Sequence, residues 1–382
     1  MYVSAWPGLS PRDLLRPPAA DGLPFPLSAG GKKTYFFRAR NAIYHLFRAL
    51  GFGLGDRVLV PAYHSGNETA AIRAAGASLT YYPIKRDLQP DLEALERACL
   101  PGTRALLAIH FLGWPQPMAE LADFCRRRGL VLVEDCALAL LSEAEGRPLG
   151  SGGDYAVFCL YKTLPLPNGA LLVQNNSHRL AGLDALRLRP CGPVSVAGRG
   201  AELVLERMRG RFEVAGAALF ALKRAAGRAL RAAGADHVPV GDMGFDPSQV
   251  DVAISSVCAP MMRRWDYASI RRRRRAHFHQ LRDRLAGGAT LLKEELPEGA
   301  CPLFFPVLVA DKHAAARALW ARGVSAVEFW NEGDPEAATY AFTDTRFLRD
   351  HVLELPLHQD LTDDHVDYVA DQVLALGLRL PC

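Results

Sequence analysis

Met118-Ala119-Glu120-Leu121-Ala122-Asp123-Phe124-Cys125-Arg126-Arg127-Arg128-Gly129-Leu130-Val131-Leu132-Val133-Glu134-Asp135 is a helix pattern, a stop, a strand pattern and an acid in immediate succession. Apolar residues recur at helical spacing over 118–128, Gly129 ends the helix, and 130–133 is an apolar strand. The same unit repeats upstream. Helices are predicted over 40–50, 67–75 and 92–99, the first two stopped by Gly51 and Gly76, and strands over 57–60, 79–82 and 105–109. Apolar strands alternating with such helices predict an α/β fold with a mostly parallel sheet covered on both faces. Chemistry in such sheets gathers beyond the carboxyl ends of the strands. Tyr63 and His64, His110, and Asp135 each follow a strand and are expected to face one crevice.

Downstream, Phe158-Cys159-Leu160-Tyr161-Lys162-Thr163-Leu164-Pro165-Leu166-Pro167-Asn168-Gly169 leaves an apolar run and breaks into a proline-rich turn. Burial favours a neutral amine, whose free lone pair can attack an aldehyde. An acid at one strand end and a lysine at another suit pyridoxal phosphate, with Asp135 on the ring nitrogen and Lys162 on the aldehyde. Tyr63 or His64 offers a flat face to stack on the ring. Arg38-Ala39-Arg40-Asn41-Ala42 opens a helix, and two guanidiniums beside free helix N–H groups make a phosphate seat. Read without context, Arg38 and Arg40 are better taken as a solvated helix start, and His110 is equally a satisfied core histidine.

Two patterns mislead. Gly51-Phe52-Gly53-Leu54-Gly55 resembles a dinucleotide fingerprint, but it follows a helix and precedes a strand, the reverse of the required order. Residues 271–275 are all arginine. Consecutive residues spread around a helix and no aromatic residues interleave, so a solvated or subunit-facing helix is expected rather than a nucleic-acid site.

The chain has 382 residues, enough for two domains or one large domain with an appendage. It is 49% hydrophobic and 23% charged, as in globular proteins that bury a core, and its net charge of +4 does not argue for nucleic acid. The eight cysteines are scattered with no Cys-x-x-Cys, which speaks against a disulfide framework or structural zinc and fits a reducing cytoplasm. No metal site is expected. No apolar stretch is long enough to span a bilayer; the best, 214–222, is short and runs into Lys223 and Arg224. Residues 1–30, rich in proline, read as an irregular arm. Residues 178–236 look helical with an interruption around 190–200, and 250–285 reads as long helix broken near Pro260. A strand over 304–309 and helices over 313–322 and 364–376 complete a smaller α+β part.

From residue 40 to 176 the chain resembles the DegT/StrS-type sugar aminotransferases, which are fold-type I pyridoxal-phosphate enzymes. The landmarks are Gly55-Asp56-Arg57-Val58-Leu59-Val60-Pro61, Ala74-Ala75-Gly76-Ala77, His110-Phe111-Leu112-Gly113, Val133-Glu134-Asp135-Cys136-Ala137 and Leu149-Gly150-Ser151-Gly152-Gly153-Asp154. Leu355-Pro356-Leu357-His358-Gln359-Asp360-Leu361-Thr362 is similar to the family's closing motif. The resemblance implies a mostly parallel cofactor domain (31–245 after the arm), a small α+β domain (246–382), and a homodimer with sites at the subunit interface. It implies catalytic Lys162 and Asp135, and a cofactor held by these two with Arg40, Asn41, Tyr63, His64, His110 and Cys159. It further implies amino transfer from an amino acid, glutamate being the expected donor, to a keto sugar, nucleotide-linked by expectation, or a related ketone, in polysaccharide or secondary-metabolite synthesis.

The departures mark a divergent branch. Leu138 stands where the family has Gln or His, and Cys159 where it has a phosphate-binding serine. The Gly-Glu-Gly-Gly after the lysine is reduced to Asn168-Gly169, and 244–246 holds no clear copy of Gly-x-Asn-x-Arg. Arg38 to Asn41 replaces the threonine-bearing phosphate turn, and of the two arginines Arg40 aligns with it. A dehydratase-like or condensing pyridoxal-phosphate enzyme, and a regulatory protein that binds the cofactor without turnover, are the competing readings.

Overall fold

The computed structural model describes residues 1–10, 13, 15–18, 22–29, 33–176, 179–212, 218–219, 244–338 and 340–380. The apolar stretch 214–222, most of 212–243 and parts of the expected arm lie outside the described residues, apart from 218–219.

The main sheet contains β1 (Lys33–Phe36), β2 (Arg57–Pro61), β3 (Ser78–Tyr82), β4 (Thr103–Ile109), β5 (Val131–Asp135), β8 (Tyr155–Cys159) and β9 (Ala170–Gln174), in the order β1-β9-β8-β5-β4-β2-β3. The short hairpin of β6 (Glu143–Ala144) and β7 (Arg147–Pro148) lies between β5 and β8 in the chain. Pairing is parallel from β3 through β8, while β9 runs antiparallel to both β8 and β1. β9 alone is reversed, so β1, β5 and β8 all point their carboxyl ends at the same edge. That edge receives Arg38, Asp135 and Lys162.

The strands are nearly continuous apolar runs because both faces are covered. Helices Ala39–Ala49, Asn67–Ala74, Leu92–Ala98 and Met118–Arg128 supply the cover. Gly129, with φ 66°, ends the last as expected. Gly51 and Gly55, both at positive φ, form a stop and turn between helix and strand, with Asp56 accepting a hydrogen bond from the Gly53 amide at 2.9 Å.

A second sheet, β10 (Thr290–Leu291), β11 (Phe304–Leu308) and β12 (Val352–Pro356), is antiparallel and packs with helices Tyr267–Leu285, Lys312–Ala321, Thr343–His351 and Asp363–Ala375. The N-terminal stretch joins this part: Val3 bridges Val324, and the Trp6 ring lies edge-on to Phe304 at 4.9 Å. The sequence pattern misplaced two breaks. The residues expected to interrupt the first helical stretch largely begin helix Pro193–Arg211, with Pro193 in its first turn, where a missing N–H costs no hydrogen bond. Pro260 lies inside the short helix Cys258–Met262, and the chain turns instead before Asp266, which caps Tyr267–Leu285 by accepting from the Ser269 amide at 2.8 Å. Among the described residues no helix is long and apolar enough to cross a membrane.

The arginine run also differs from expectation. Arg274 is buried, and it donates to Gln359 Oε1 at 2.9 Å and to the carbonyls of Pro302, Leu303, Leu357 and Thr163 at 3.1–3.4 Å. A buried guanidinium is tolerated because carbonyl oxygens replace its water. Arg273 and Arg275 likewise donate to backbone carbonyls, and Arg271 pairs with Glu143 at 2.8 Å. Arg273 and Arg274 thus fasten the helix to the closing motif, while Arg272 and Arg273 remain exposed as expected of a solvated face.

Candidate active site

A cavity of about 400 Å³ opens at the carboxyl edge of the main sheet. Asp135, Ala137, Cys159, Tyr161 and Lys162 line its floor; Arg38, Arg40, Ser65, Asn67 and Glu68 line one side. Trp6, Val327, Phe329 and Trp330 close it from the C-terminal part, and Arg199 and Glu202 from helix Pro193–Arg211.

Asp135 is the last residue of β5 and is buried, with Oδ1 accepting from the Ala137 amide at 2.8 Å. Burial pushes its carboxyl up to about 7, helped by the Glu68 charge; the Ala137 amide and the Lys162 charge pull the other way. Such a group is poised to meet a cation. Lys162 sits in the single helical turn Leu160–Thr163 directly after β8, its Nζ 5.4 Å from the centre of the Phe329 ring. That turn is braced from behind: Thr163 O accepts from Gln359 Nε2 at 3.0 Å and from Arg274 Nη2 at 3.4 Å. The closing motif Leu355–Thr362 thus reaches the lysine through one carbonyl.

The two arginines divide differently from the sequence reading. Arg38 is buried, yet its Nε and Nη2 have no hydrogen-bond partner. Burial, and next the adjacent Arg40 charge, lower its pKa, so an anion placed there would relieve both penalties. Arg40 also lines the cavity, but its Nη1 is held by the carbonyl of Gly244. Asn41 turns away, donating to the carbonyls of Gln249 and Val250 at 2.8 and 3.2 Å.

Tyr63, His64 and His110 do not line the cavity. Tyr63 is buried between Phe111 and Trp330, with ring centres at 5.5 and 4.8 Å. His64 stacks on Tyr81 and accepts the Gly66 amide on Nδ1 at 2.9 Å. Both precede the segment that does reach the cavity, Ser65 to Glu68, where the chain turns into helix Asn67–Ala74. Glu68, missed in the sequence, accepts from Ser65 Oγ at 2.7 Å. His110 uses both ring nitrogens: Nδ1 accepts from the Gln116 amide at 3.1 Å, so Nε2–H donates to Glu134 Oε2 at 2.9 Å.

Glu134 and His110 together with Cys136 are the one group among the described residues whose metal-capable atoms lie within 4.8 Å of one another. The side chains of His110 and Glu134 are already committed to protein partners. Glu134 takes amide hydrogen bonds from Gly150, Gly152 and Gly153 at 2.9, 2.8 and 2.5 Å besides that of His110. Gly150 adopts φ 87°, and a Cβ there would lie 2.4 Å from Phe158 Cζ, so glycine is required where the loop crosses β8. Leu138, the departure noted after Asp135, is buried in the main core and not at the cavity.

The parallel sheet with one reversed strand, the cavity at its carboxyl edge and the Asp–Lys pair define a fold-type I pyridoxal-phosphate enzyme architecture. Residues 38–195 match the DegT/DnrJ/EryC1/StrS aminotransferase family. A dTDP-4-dehydro-2,3,6-trideoxy-D-glucose 4-aminotransferase of Saccharopolyspora spinosa is 33% identical over 160 residues, 41% of each chain. A dTDP-3-amino-3,4,6-trideoxy-alpha-D-glucose transaminase of Streptomyces venezuelae is 38% identical over 124 residues, 32% of each. The matches therefore span well under half of these relatives. A Streptococcus pneumoniae protein solved in its PLP form superposes with a TM-score of 0.67 over 99% of both chains at 16% identity, which shows the shared fold.

The residues present fit pyridoxal phosphate. The unpartnered Arg38 donors suit its phosphate, the raised Asp135 carboxyl suits a protonated ring nitrogen, and Lys162 suits the aldehyde. Cys159 stands beside them, its thiol pushed up by burial, and a thiol is by nature a poorer hydrogen-bonding group than the family's serine.

Proposed function

We propose that the protein is an aminotransferase that moves an amino group from an amino acid, with glutamate the expected donor, to a ketone of the nucleotide-linked sugar class. The carrying observation is that Asp135, Lys162 and Arg38, at or just past the ends of three strands, line one cavity. Pyridoxal phosphate, when bound, supplies an aldehyde for the amino group and a cationic ring that draws electrons from the substrate carbon. Asp135 keeps the ring nitrogen protonated, since a cation beside a desolvated carboxyl stabilises its charged form. Lys162 holds the cofactor and, once displaced, its Nζ takes and returns the proton at the substrate carbon. Arg38 fixes the phosphate end, and the Trp6, Phe329 and Trp330 wall excludes water. The relatives named above act on dTDP-linked deoxysugars, which supports a sugar acceptor.

The reading is tested by mixing cofactor-loaded protein with L-glutamate and no acceptor. One 2-oxoglutarate released per site supports it; ammonia release, or no reaction, overturns it.

The same reading carries a cofactor domain over 31–245, a small domain over 246–382, and a homodimer in the cytoplasm. All seven cysteines among the described residues are free, in keeping with a reducing compartment. Light scattering at micromolar concentration should give twice 41.7 kDa; a monomer alone would contradict the dimer.

A further inference from the structure

Helix Pro193–Arg211 places two charged side chains in the cavity wall that the chemistry above leaves unused, Arg199 and Glu202. Arg199 Nη1 lies 3.0 Å from Glu202 Oε1, three residues further along the same helix. Arg199 Nε is buried and has no hydrogen-bond partner. A guanidinium presents Nε–H and the neighbouring Nη–H as a parallel fork that matches the two oxygens of a carboxylate. Glu202 meets Arg199 at Nη1, so the edge that carries Nε is left unmatched. The wall around the pair includes Trp6, Val327 and Phe329, and Phe329 also packs near the Lys162 amine. The cavity therefore offers at its floor the amine whose place an incoming amino group would take, and in its wall an incompletely paired guanidinium that suits the carboxylate of the same molecule.

We propose that Arg199 recognises the α-carboxylate of the amino-acid donor, and that Glu202 is an internal stand-in which that carboxylate displaces. The inference rests on the aminotransferase reading for the identity of the donor. It has opposite consequences at the two residues. Loss of the cation weakens carboxylate binding, whereas loss of the competing anion strengthens it. The other anion such an enzyme could bring to this wall is the diphosphate of a nucleotide-linked sugar, so the test carries both probes.

Calorimetric titration of cofactor-loaded protein with 2-oxoglutarate, and separately with uridine diphosphate, reads binding without turnover. Arg199→Ala is expected to raise the 2-oxoglutarate Kd about ten- to a hundredfold and to leave uridine diphosphate unchanged. Glu202→Gln, which keeps size and shape, is expected to lower the 2-oxoglutarate Kd several-fold, and it serves alone should Arg199→Ala not fold. In the half-reaction with L-glutamate, Arg199→Ala should raise KM while the saturated rate changes far less. Unchanged 2-oxoglutarate binding in Arg199→Ala, weaker binding in Glu202→Gln, or a loss confined to uridine diphosphate would overturn the proposal. If wild-type protein binds 2-oxoglutarate through Arg199 but releases none from L-glutamate, the functional reading fails while the carboxylate site stands.

Discussion

Glu134 and Asp135, adjacent on β5, have opposite duties. Glu134 accepts from His110 and three loop amides, fastening Gly150–Gly153 to the sheet, while Asp135 lines the cavity with a single amide contact. Successive residues of a strand face opposite sides, so one step in sequence separates scaffold from chemistry. Burial alone would raise the Glu134 pKa, but the His110 and glycine hydrogen bonds outweigh it and hold the carboxylate ionised. Glu134→Ala strands these buried donors and should cost about 3 kcal/mol or more of stability, seen as a lowered urea midpoint. Asp135→Asn should fold and bind cofactor, yet slow 2-oxoglutarate release by orders of magnitude because an amide does not stabilise a cationic ring. A stable Glu134→Ala, or an Asp135→Asn of near wild-type rate, would contradict these assignments.

Arg38, rather than Arg40, should carry the phosphate. A charged hydrogen bond contributes roughly 1.5–3 kcal/mol, so Arg38→Ala should weaken pyridoxal phosphate binding about ten- to a hundredfold. Arg40→Ala, whose guanidinium is already held by Gly244, should do less. Titration of apoprotein with pyridoxal phosphate and with pyridoxal separates the phosphate contribution. Equal losses for both ligands in Arg38→Ala would show that Arg38 supports the fold and not the phosphate.

Acid stability should depend on His64. Burial, then the Arg349 charge, push its pKa from 6.5 down to about 3. The unfolded chain takes up a proton that the folded one refuses, so stability is full above about pH 6.5 and falls as pH drops toward 3. His45, His277 and His358 are also depressed and add to the loss. His64→Asn should therefore show a smaller fall in Tm between about pH 7.5 and pH 5 than wild type does. An identical fall would show that His64 is protonated as readily folded as unfolded.

Much of this was legible from patterns that repeat. Strands bounded by Gly-stopped helices gave the parallel sheet, and the acid and lysine at strand ends gave Asp135 and Lys162 their shared edge. The flanking strands β1 and β9 were not foreseen, because their place depends on pairing with each other rather than on local period. The choice between Arg38 and Arg40 turns on which guanidinium a distant carbonyl captures, and that carbonyl, Gly244, is 204 residues away. Arg274 hid among five like charges, although Tyr267, Ile270, Arg274, Phe278, Leu281 and Leu285, spaced three or four apart, mark the buried face of its helix. That spacing was available in the sequence and would have singled it out.

The central claim is that Lys162 carries pyridoxal phosphate. Borohydride reduction of the purified holoprotein, followed by peptide mapping, should place a single pyridoxyl group on the peptide containing Lys162, and Lys162→Ala should lose the label. A label on any other lysine, or undiminished labelling of Lys162→Ala, would contradict the account.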